Sequence, residues 1–312
     1  MSIAITRYDQ SCAEEWNRFV QTSKNGTFLL ERGFMDYHAD RFSDYSLIFR
    51  EENNLLAVLP ANLRDDTLYS HQGLTYGGLI TQTAMTTERM KLIFASLLEY
   101  LRGQGVKTVY YKTIPHIYHR LPAEEDRFAL FYHGAELCER QLLSVCLPES
   151  RPAFQERRTR GVKKAVAEGI TVRASIDWSK YWGMLASNLD ERYSSKPVHT
   201  LAEITQLQAK FPDSIKLFVA EKNSELLAGV VIFESDRVAH VQYIASTSIG
   251  RDSGAVDILF QELLRKIYSE KRFFDFGSSN VPGTRELNDG LVAQKEGFGA
   301  RAVVQDHYRL SL

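Results

Sequence analysis

The order of elements repeats once along this chain of 312 residues. Apolar residues recur at helical spacing from Met90 to Leu101, and a strand rich in β-branched and aromatic residues follows at 107–112. The same order returns at 256–267 and 273–276. An amphipathic helix followed by a strand is common by chance, so a single match would carry little weight. Because further landmarks keep a nearly constant offset, the sequence predicts two copies of one α/β domain.

Those landmarks are short apolar and glycine-containing segments. Leu55 to Ala57 has its counterpart in Leu226 to Ala228, and Gly134 precedes a predicted strand at 142–147 as Gly299 precedes the terminal strand. Between the two halves, prolines 148 and 152 give the clearest interruption of the chain. We therefore predict an N-terminal domain of residues 1–150 and a C-terminal domain of residues 151–312.

Each half has the order strand, helices, two or three antiparallel strands, helix, strand, helix, strand. This order is typical of the α/β (α+β) class, with a mixed, mostly antiparallel sheet flanked by helices. Such a sheet opens beside its central strands, and the cleft there is where a ligand would enter.

Composition limits the partners of the chain. The formal net charge is −1, so no overall field favours DNA or an anionic membrane. The three cysteines have no metal-ligand spacing, and we expect reduced thiols and no metal site. The chain opens with a polar segment and has no apolar run of roughly 20 residues, so we expect a cytoplasmic protein without membrane insertion.

The densest basic stretch opens the second half. On a helix, Arg157, Arg160 and Lys164 share one face, while Arg158 joins the apolar face with Val162. Such a helix is often only a solvated basic face over an apolar one. The alternative is a phosphate clamp, because guanidinium groups match the geometry of phosphate.

The end of the chain can present a cation to a ligand at the edge of a sheet. A short strand at 272–277 contains Asp275, and a polar loop with Asn280 follows it. A helix predicted from Glu286 then carries Lys295 just before two glycines. A lysine at a helix C-terminus is ordinarily a surface residue, so its position alone leaves its role open.

Several of these segments resemble the FemAB family of acyltransferases. The basic stretch and Glu168-Gly169-Ile170 are similar to the start of that family's second domain, and Asp275-Phe276-Gly277 with 295–299 is similar to its end. Asn25-Gly26-Thr27-Phe28-Leu29 resembles the N-terminal entry. The resemblance implies two tandem domains of the Gcn5-related N-acetyltransferase (GNAT) fold. It also implies transfer of an amino acid from aminoacyl-tRNA to an amine of a peptidoglycan precursor.

The resemblance further implies roles for individual residues. Arg157, Arg160 and Lys164 would contact a substrate phosphate, with Asp275 and Asn280 as further substrate contacts. Lys295 would stabilise the oxyanion of acyl transfer, since a fixed cation near the developing charge lowers the barrier.

The sequence departs from the family in ways that leave the donor open. No long helical-hairpin arm is present, and Tyr76-Gly77-Gly78 with Thr81 stands where relatives have a motif that ends in an acidic residue. The turn 250–255, with Arg251 and Gly254, loosely matches the pyrophosphate-binding turn of acetyltransferases. The donor is therefore either acyl-CoA or aminoacyl-tRNA, and we expect no permanently bound cofactor.

Other residues are weaker candidates. His199 is a candidate general base, although a loop histidine more often caps a helix or is solvated. Tyr243, on a central strand, is a candidate donor to the leaving group, although a packed strand tyrosine is the commoner case. In the first half we assign His38, Arg41, His71 and Tyr76 to substrate binding, the first two near an acceptor phosphate; a position at a helix end would equally explain His38 and Arg41.

Two hypotheses follow. The first is an acyltransferase that acts on an amine of a nucleotide- or lipid-linked sugar or peptidoglycan-type precursor in cell-envelope polysaccharide synthesis, with tRNA as a second partner if it is the donor. The second is a non-catalytic ligand-binding protein with degenerate GNAT-like domains. Because the first half has no counterpart of the basic stretch, we expect at least that half to be catalytically idle. The acyl group, the acceptor and the oligomeric state stay open.

Overall fold

The computed structural model describes residues 3–193 and 195–312. By its internal contacts the chain divides into two compact units. Unit 1 comprises the residues up to Gln141 together with Val304–Leu312, and unit 2 comprises Leu142–Val303. The sequence boundary at 150/151 was placed at an interruption of the chain, whereas contacts group residues by the sheet they join. Contacts therefore assign 142–150 to unit 2 and most of the last strand, from Val304, to unit 1.

The helices and strands, in chain order, are β1 (Ile3–Arg7), α1 (Ala13–Thr22), α2 (Arg32–Met35), β2 (Leu47–Glu51), β3 (Asn54–Leu59), β4 (Asn62–Arg64), β5 (Thr67–Tyr69), β6 (Ile80–Thr81), α3 (Thr87–Gly103), β7 (Thr108–Lys112), α4 (Glu125–Tyr132), β8 (Glu136–Cys146), α5 (Glu156–Ala167), β9 (Thr171–Ser175), α6 (Trp178–Tyr193), α7 (Leu201–Lys210), β10 (Ile215–Lys222), β11 (Glu225–Glu234), β12 (Val238–Ser246), α8 (Ser248–Asp252), α9 (Ala255–Glu262), β13 (Phe273–Ser278), α10 (Asp289–Glu296) and β14 (Arg301–Ser311). Short 3₁₀ turns occur in the connections, and a π-type turn follows α9.

Unit 1 contains two groups of paired strands. In the order β1-β2-β3-β6 every pair is antiparallel. In the order β4-β5-β7-β14 the β5–β7 pair is parallel and the other pairs are antiparallel. The apolar stripe of α3 is buried in the core of this unit, as its helical spacing predicts.

Unit 2 is built on one twisted series of strands in the order β8-β13-β12-β11-β10-β9. All pairs are antiparallel except β12–β13, which is parallel. This pattern confirms the predicted mixed, mostly antiparallel sheet. The core contains the aromatic rings of Phe260, Phe274, Phe276 and Phe298, whose centroids lie 4.9–6.2 Å apart.

The structure moves some predicted boundaries. The helix expected from Glu286 begins at Asp289, because the Asn288 side chain accepts the amide hydrogen of Leu291 and caps it there. The strand expected at 142–147 is the second part of a longer strand, β8. Gly134 and Gly299, the paired landmarks before β8 and β14, both have left-handed φ angles, of +76° and +92°. The repeat therefore extends to backbone conformation.

Candidate active site

The strands β12 and β13 of unit 2 separate after a short parallel contact. They pair over 238–240 and 273–275, and β12 then continues to Ser246 paired with β11. A β-bulge places Gln242 as an extra residue between Val241 and Tyr243. A cavity of about 520 Å³ opens at this point. This volume lies within the range of small-molecule sites.

The cavity is mainly apolar, and its polar groups are few. Its apolar wall comes chiefly from α6, β12, α9 and the aromatic core of the unit. Its charged and amide side chains are Arg158, Asn188, Gln242, Arg251, Asp257, Gln294 and Lys295. An apolar cleft with a small number of polar groups is typical of a site that binds an organic ligand and orients it.

Lys295 lies in this wall near the C-terminal end of α10. Its Nζ donates to the carbonyl oxygens of Gly277 (2.9 Å) and Ser278 (2.8 Å) and to Ser279 Oγ (2.8 Å). Burial lowers the pKa of the ammonium to about 8, although nearby Asp275 opposes this shift. The lysine therefore holds a positive charge beside the cavity and fixes the loop that follows β13.

Asp275 and Asn280, predicted as substrate contacts, support that same loop. Asp275 is 1% exposed; one carboxylate oxygen lies 2.9 Å from His240 Nδ1 and the other accepts the amide hydrogen of Gly277 at 2.7 Å. Asn280 Oδ1 accepts from the Leu142 amide at 2.8 Å. Neither is among the described residues that line the cavity. They position the loop to which Lys295 is bound.

Tyr243 lines the cavity, and His199 lies behind it. The Tyr243 hydroxyl is 2.5 Å from His199 Nδ1 and accepts the His199 amide hydrogen at 3.3 Å. The Tyr243 hydroxyl donates to Nδ1 in the His199 tautomer that carries its hydrogen on Nε2, and accepts from Nδ1 in the other tautomer. Burial raises the pKa of Tyr243 to about 12, so the phenol is neutral near pH 7. The predicted acid–base candidates thus form one hydrogen-bonded pair.

The basic helix α5 contacts the cavity through an arginine that sequence reasoning assigned to its apolar face. Arg158 lines the cavity and pairs with Asp257 at 2.9 Å. Arg157 donates to the Ala293 carbonyl, Arg160 pairs with Glu156 one turn away and Lys164 donates to the Asp252 carbonyl. The cavity wall, among the described residues, includes none of these last three.

The glycine turn before α9 is packed against α5. Gly254 has φ +78°, and a Cβ atom there would lie 2.2 Å from the carbonyl oxygen of Gly161. Arg251 lines the cavity and donates to the Ser246 carbonyl at 2.8 Å, whereas Gly254 is not among the described lining residues. The backbone of α5 therefore packs closely against one side of the turn, at Gly254.

The predicted first-half residues lie within unit 1. The His38 ring stacks on Tyr37 and on His71, with centroids 4.2 and 5.0 Å apart. Arg41 lies over the Tyr37 ring. Tyr76 is buried with its hydroxyl 2.8 Å from Thr27 Oγ1. His71 lines a second, smaller cavity, and the other three residues line neither of these two cavities.

Sequence reasoning missed Arg158 and Asp257 as a pair. The available signal was a single acidic residue inside the apolar run 256–260, which ordinarily needs a buried partner. Within 3–193 and 195–312, no cluster of three histidine, cysteine or acidic side chains is arranged to hold a metal ion. None of the helices in these ranges has the length and apolar character needed to cross a bilayer.

Comparison with known structures places this geometry in a fold. FemX matches with a TM-score of 0.67 at 12% identity, over 97% of this chain and 96% of that one. L-PGS from Bacillus licheniformis matches with a TM-score of 0.62 at 11% identity, over 97% and 92%. A tandem GNAT protein from the clavulanic acid biosynthesis pathway matches with a TM-score of 0.55 at 12% identity, over 99% and 98%. The chain has the tandem GNAT fold.

This fold agrees with the predicted duplication, and FemX is a structure of the kind that the sequence resemblance implies. No protein-family model and no curated protein matches the sequence. At these identities the likeness establishes the fold, and the chemistry has to be argued from the site.

Proposed function

We propose that unit 2 is an acyltransferase that moves an acyl or aminoacyl group from an activated donor to an amine. The observation that carries this proposal is the cavity at the separation of β12 and β13, with Lys295 in its wall. The acceptor we propose is an amine of a nucleotide- or lipid-linked sugar or of a peptidoglycan-type precursor in cell-envelope synthesis. This choice rests on the sequence resemblance to the FemAB family, and FemX is among the structures that share the fold.

The chemistry needs a nucleophilic amine and a stabilised oxyanion. The amine nitrogen attacks the carbonyl carbon of the donor ester, a C–N bond forms and the carbonyl electron pair moves to oxygen. The intermediate then breaks its C–O bond, and the departing oxygen takes up a proton equivalent to the one lost by nitrogen. The positive charge of Lys295 stabilises the intermediate across the cavity wall.

The Tyr243–His199 pair is suited to carry the proton. As the attacking nitrogen loses its proton to the Tyr243 oxygen, the phenolic hydrogen passes over 2.5 Å to His199 Nδ1. Return of that proton to the departing oxygen restores both side chains. In this scheme the tyrosine touches the reacting atoms, and His199 acts through it.

The packing of the glycine turn bears on the donor. Because α5 lies against Gly254, a pyrophosphate could approach this turn only from its cavity side. We favour an aminoacyl ester of tRNA over acyl-CoA, since the sequence resemblance to the FemAB family implies that donor. Arg158 and Arg251 supply the positive charge that a nucleic-acid phosphate would require at the cavity.

One observation favours the alternative of a binding protein without catalysis. An ammonium group has three N–H donors, and Lys295 makes three hydrogen bonds to the loop. In that case Lys295 would hold the loop closed around a ligand and would take no part in a reaction. The two functions differ in whether a bound donor reacts.

The test measures binding and transfer separately. Titration calorimetry with acetyl-CoA and with aminoacyl-tRNA identifies the donor, and transfer of a radiolabelled amino acid or acetyl group to a peptidoglycan precursor reports the reaction. We expect binding and transfer with aminoacyl-tRNA. Binding of a donor without transfer would support the alternative, and no binding of either donor would overturn both.

A further inference from the structure

A second cavity, of about 330 Å³, is lined by residues of unit 1 alone. Its wall is formed by neighbouring strands and the loop after β5, and it contains Tyr110, Lys112, Glu139, Gln141 and His307 together with His71. Nearly all of these side chains are polar or charged. This composition contrasts with the mainly apolar cavity of unit 2, and the proposed transfer reaction makes no use of it.

The two charged side chains in this wall, Glu139 and Lys112, have different kinds of hydrogen-bond partner. Glu139 accepts hydrogen bonds from the Tyr110 hydroxyl at 2.9 Å and from Gln141 at 2.8 Å, and His307 Nδ1 lies 3.2 Å from it. Lys112 Nζ instead donates to the Leu74 carbonyl at 2.5 Å and weakly to that of His71 at 3.5 Å. Among the described residues no ion pair includes Lys112. Glu139, in the same wall, acts on the Lys112 charge only from beyond ion-pair distance.

The surroundings of Lys112 keep the ammonium group poorly solvated. Burial lowers the pKa of Lys112 to about 8, and the charge of Glu139 only partly opposes the shift. The adjacent loop is fixed, because the Gln72 amide donates to Asn62 Oδ1 at 2.8 Å and Asn62 Nδ2 donates back to Gln72 Oε1 at 2.9 Å. An anion entering the cavity would therefore meet a preorganised cation at low desolvation cost.

We propose that this cavity is a binding site for a small hydroxylated anion, whose carboxylate or phosphate group pairs with Lys112 and whose hydroxyl groups bond to Glu139, Gln141 and Gln72. The site depends only on unit 1. It goes beyond the proposed transferase activity and does not rest on it, since a protein without transfer activity can still bind this ligand.

The experiment uses three related probes with the full-length protein: glycerol 3-phosphate, glycerate and glycerol. Titrations followed by amide chemical shifts should show saturable changes at 69–72 and 110–112 with one or both anions. Binding of only one anion identifies the charged group. We expect affinity at least tenfold lower for glycerol, because it lacks the charge-assisted bond. Equal affinities for all three probes, obtained from the same chemical-shift titrations, would overturn the proposal.

Two variants test whether anion binding depends on Lys112 itself or on the overall charge of the unit. Lys112→Gln should reduce anion affinity at least tenfold and remove the preference over glycerol. Lys107→Gln is the matched control, since Lys107 pairs with Asp66 at the surface of the same unit and is 77% exposed. If Lys112→Gln fails to fold, the wild-type protein still tests the site. Its affinity for the anion should fall as pH rises through about 8, because Lys112 loses its charge there. Affinity unchanged by Lys112→Gln, or from pH 7 to 9, would contradict the site.

Discussion

The two units differ most where the strand after the amphipathic helix ends. Tyr111 of β7 and Phe276 of β13 are each the fourth residue of that strand. Phe276 forms part of the wall of the large cavity. Tyr111 is fully buried, accepts the Leu79 amide hydrogen at 2.6 Å and donates to Asp126 at 2.6 Å. In unit 1 a hydrogen-bonded side chain fills the region that unit 2 keeps open.

This difference shows how the same position of one fold can border an open cleft or be filled by a buried side chain. A phenylalanine ring has no polar atom, so it leaves neighbouring backbone groups to be satisfied by other partners or by a ligand. The Tyr111 hydroxyl satisfies the Leu79 amide, just before β6, and is buried with the carboxyl group of Asp126. The absence of a basic helix in the first half already led us to expect an idle domain, and the buried tyrosine gives a physical reason.

The largest expected effect concerns the cavity of unit 2. Lys295→Ala should lower the rate of transfer about 10²- to 10³-fold, because it removes the cation that faces the developing oxyanion. Lys266→Ala is the matched control, since Lys266 pairs with Glu262 at the surface of unit 2 and is 71% exposed. Rates of transfer are measured with a radiolabelled donor below pH 8, where Lys295 is charged. Equal rates for both variants would remove Lys295 from catalysis.

The next prediction compares two glycines of similar conformation. Gly254 in unit 2 and Gly134 in unit 1 have φ angles of +78° and +76°. In Gly254→Ala the added Cβ atom also meets the Gly161 carbonyl, so the free energy of unfolding should fall by about 3 kcal/mol or more. In Gly134→Ala the Cβ atom has open space, and the free energy of unfolding should fall by about 1 kcal/mol. Denaturant unfolding with hydrogen exchange assigns each loss to its unit. Similar losses would contradict the close packing of α5 on α9.

A third prediction concerns Asp126, the buried partner of Tyr111 in unit 1. Burial raises the pKa of Asp126 to about 6 from an ordinary 3.8, so the folded state holds its proton more tightly than the unfolded state. The resulting stability is complete below about pH 4 and is lost as pH rises through 6, a change of about 3 kcal/mol. In Asp126→Asn the amide does not titrate, so the wild-type minus variant difference should fall by that amount between pH 4 and 7. A difference independent of pH would show that Asp126 does not titrate in this range.

The smallest effect distinguishes two arginines of α5. Arg158→Ala should weaken donor binding about tenfold, because Arg158 lines the cavity and its loss leaves Asp257 unpaired. Arg160→Ala should change donor affinity by less than twofold, since Arg160 is 67% exposed and pairs only with Glu156. Calorimetric titration of both variants checks the pair. The reverse order would restore the phosphate clamp that the sequence suggested.

Periodicity predicted the duplicated fold because amphipathic stripes and strand alternation are local properties. The resemblance to a known family indicated the role of Lys295, and the position of Tyr243 on a central strand placed it beside the expected cleft. The helical pattern of α5 also placed Arg158 on its apolar face, and the structure turns that face inward. The pattern could not predict the partner of Arg158, because Asp257 lies 99 positions further along the chain.

The exchange of strands has a consequence for how the protein is made. Unit 1 includes Val304–Leu312, which follow all of unit 2 in the chain. During synthesis unit 1 therefore cannot be completed before the whole of unit 2 has been made. Removal of these residues should destabilise the unit that is synthesised first.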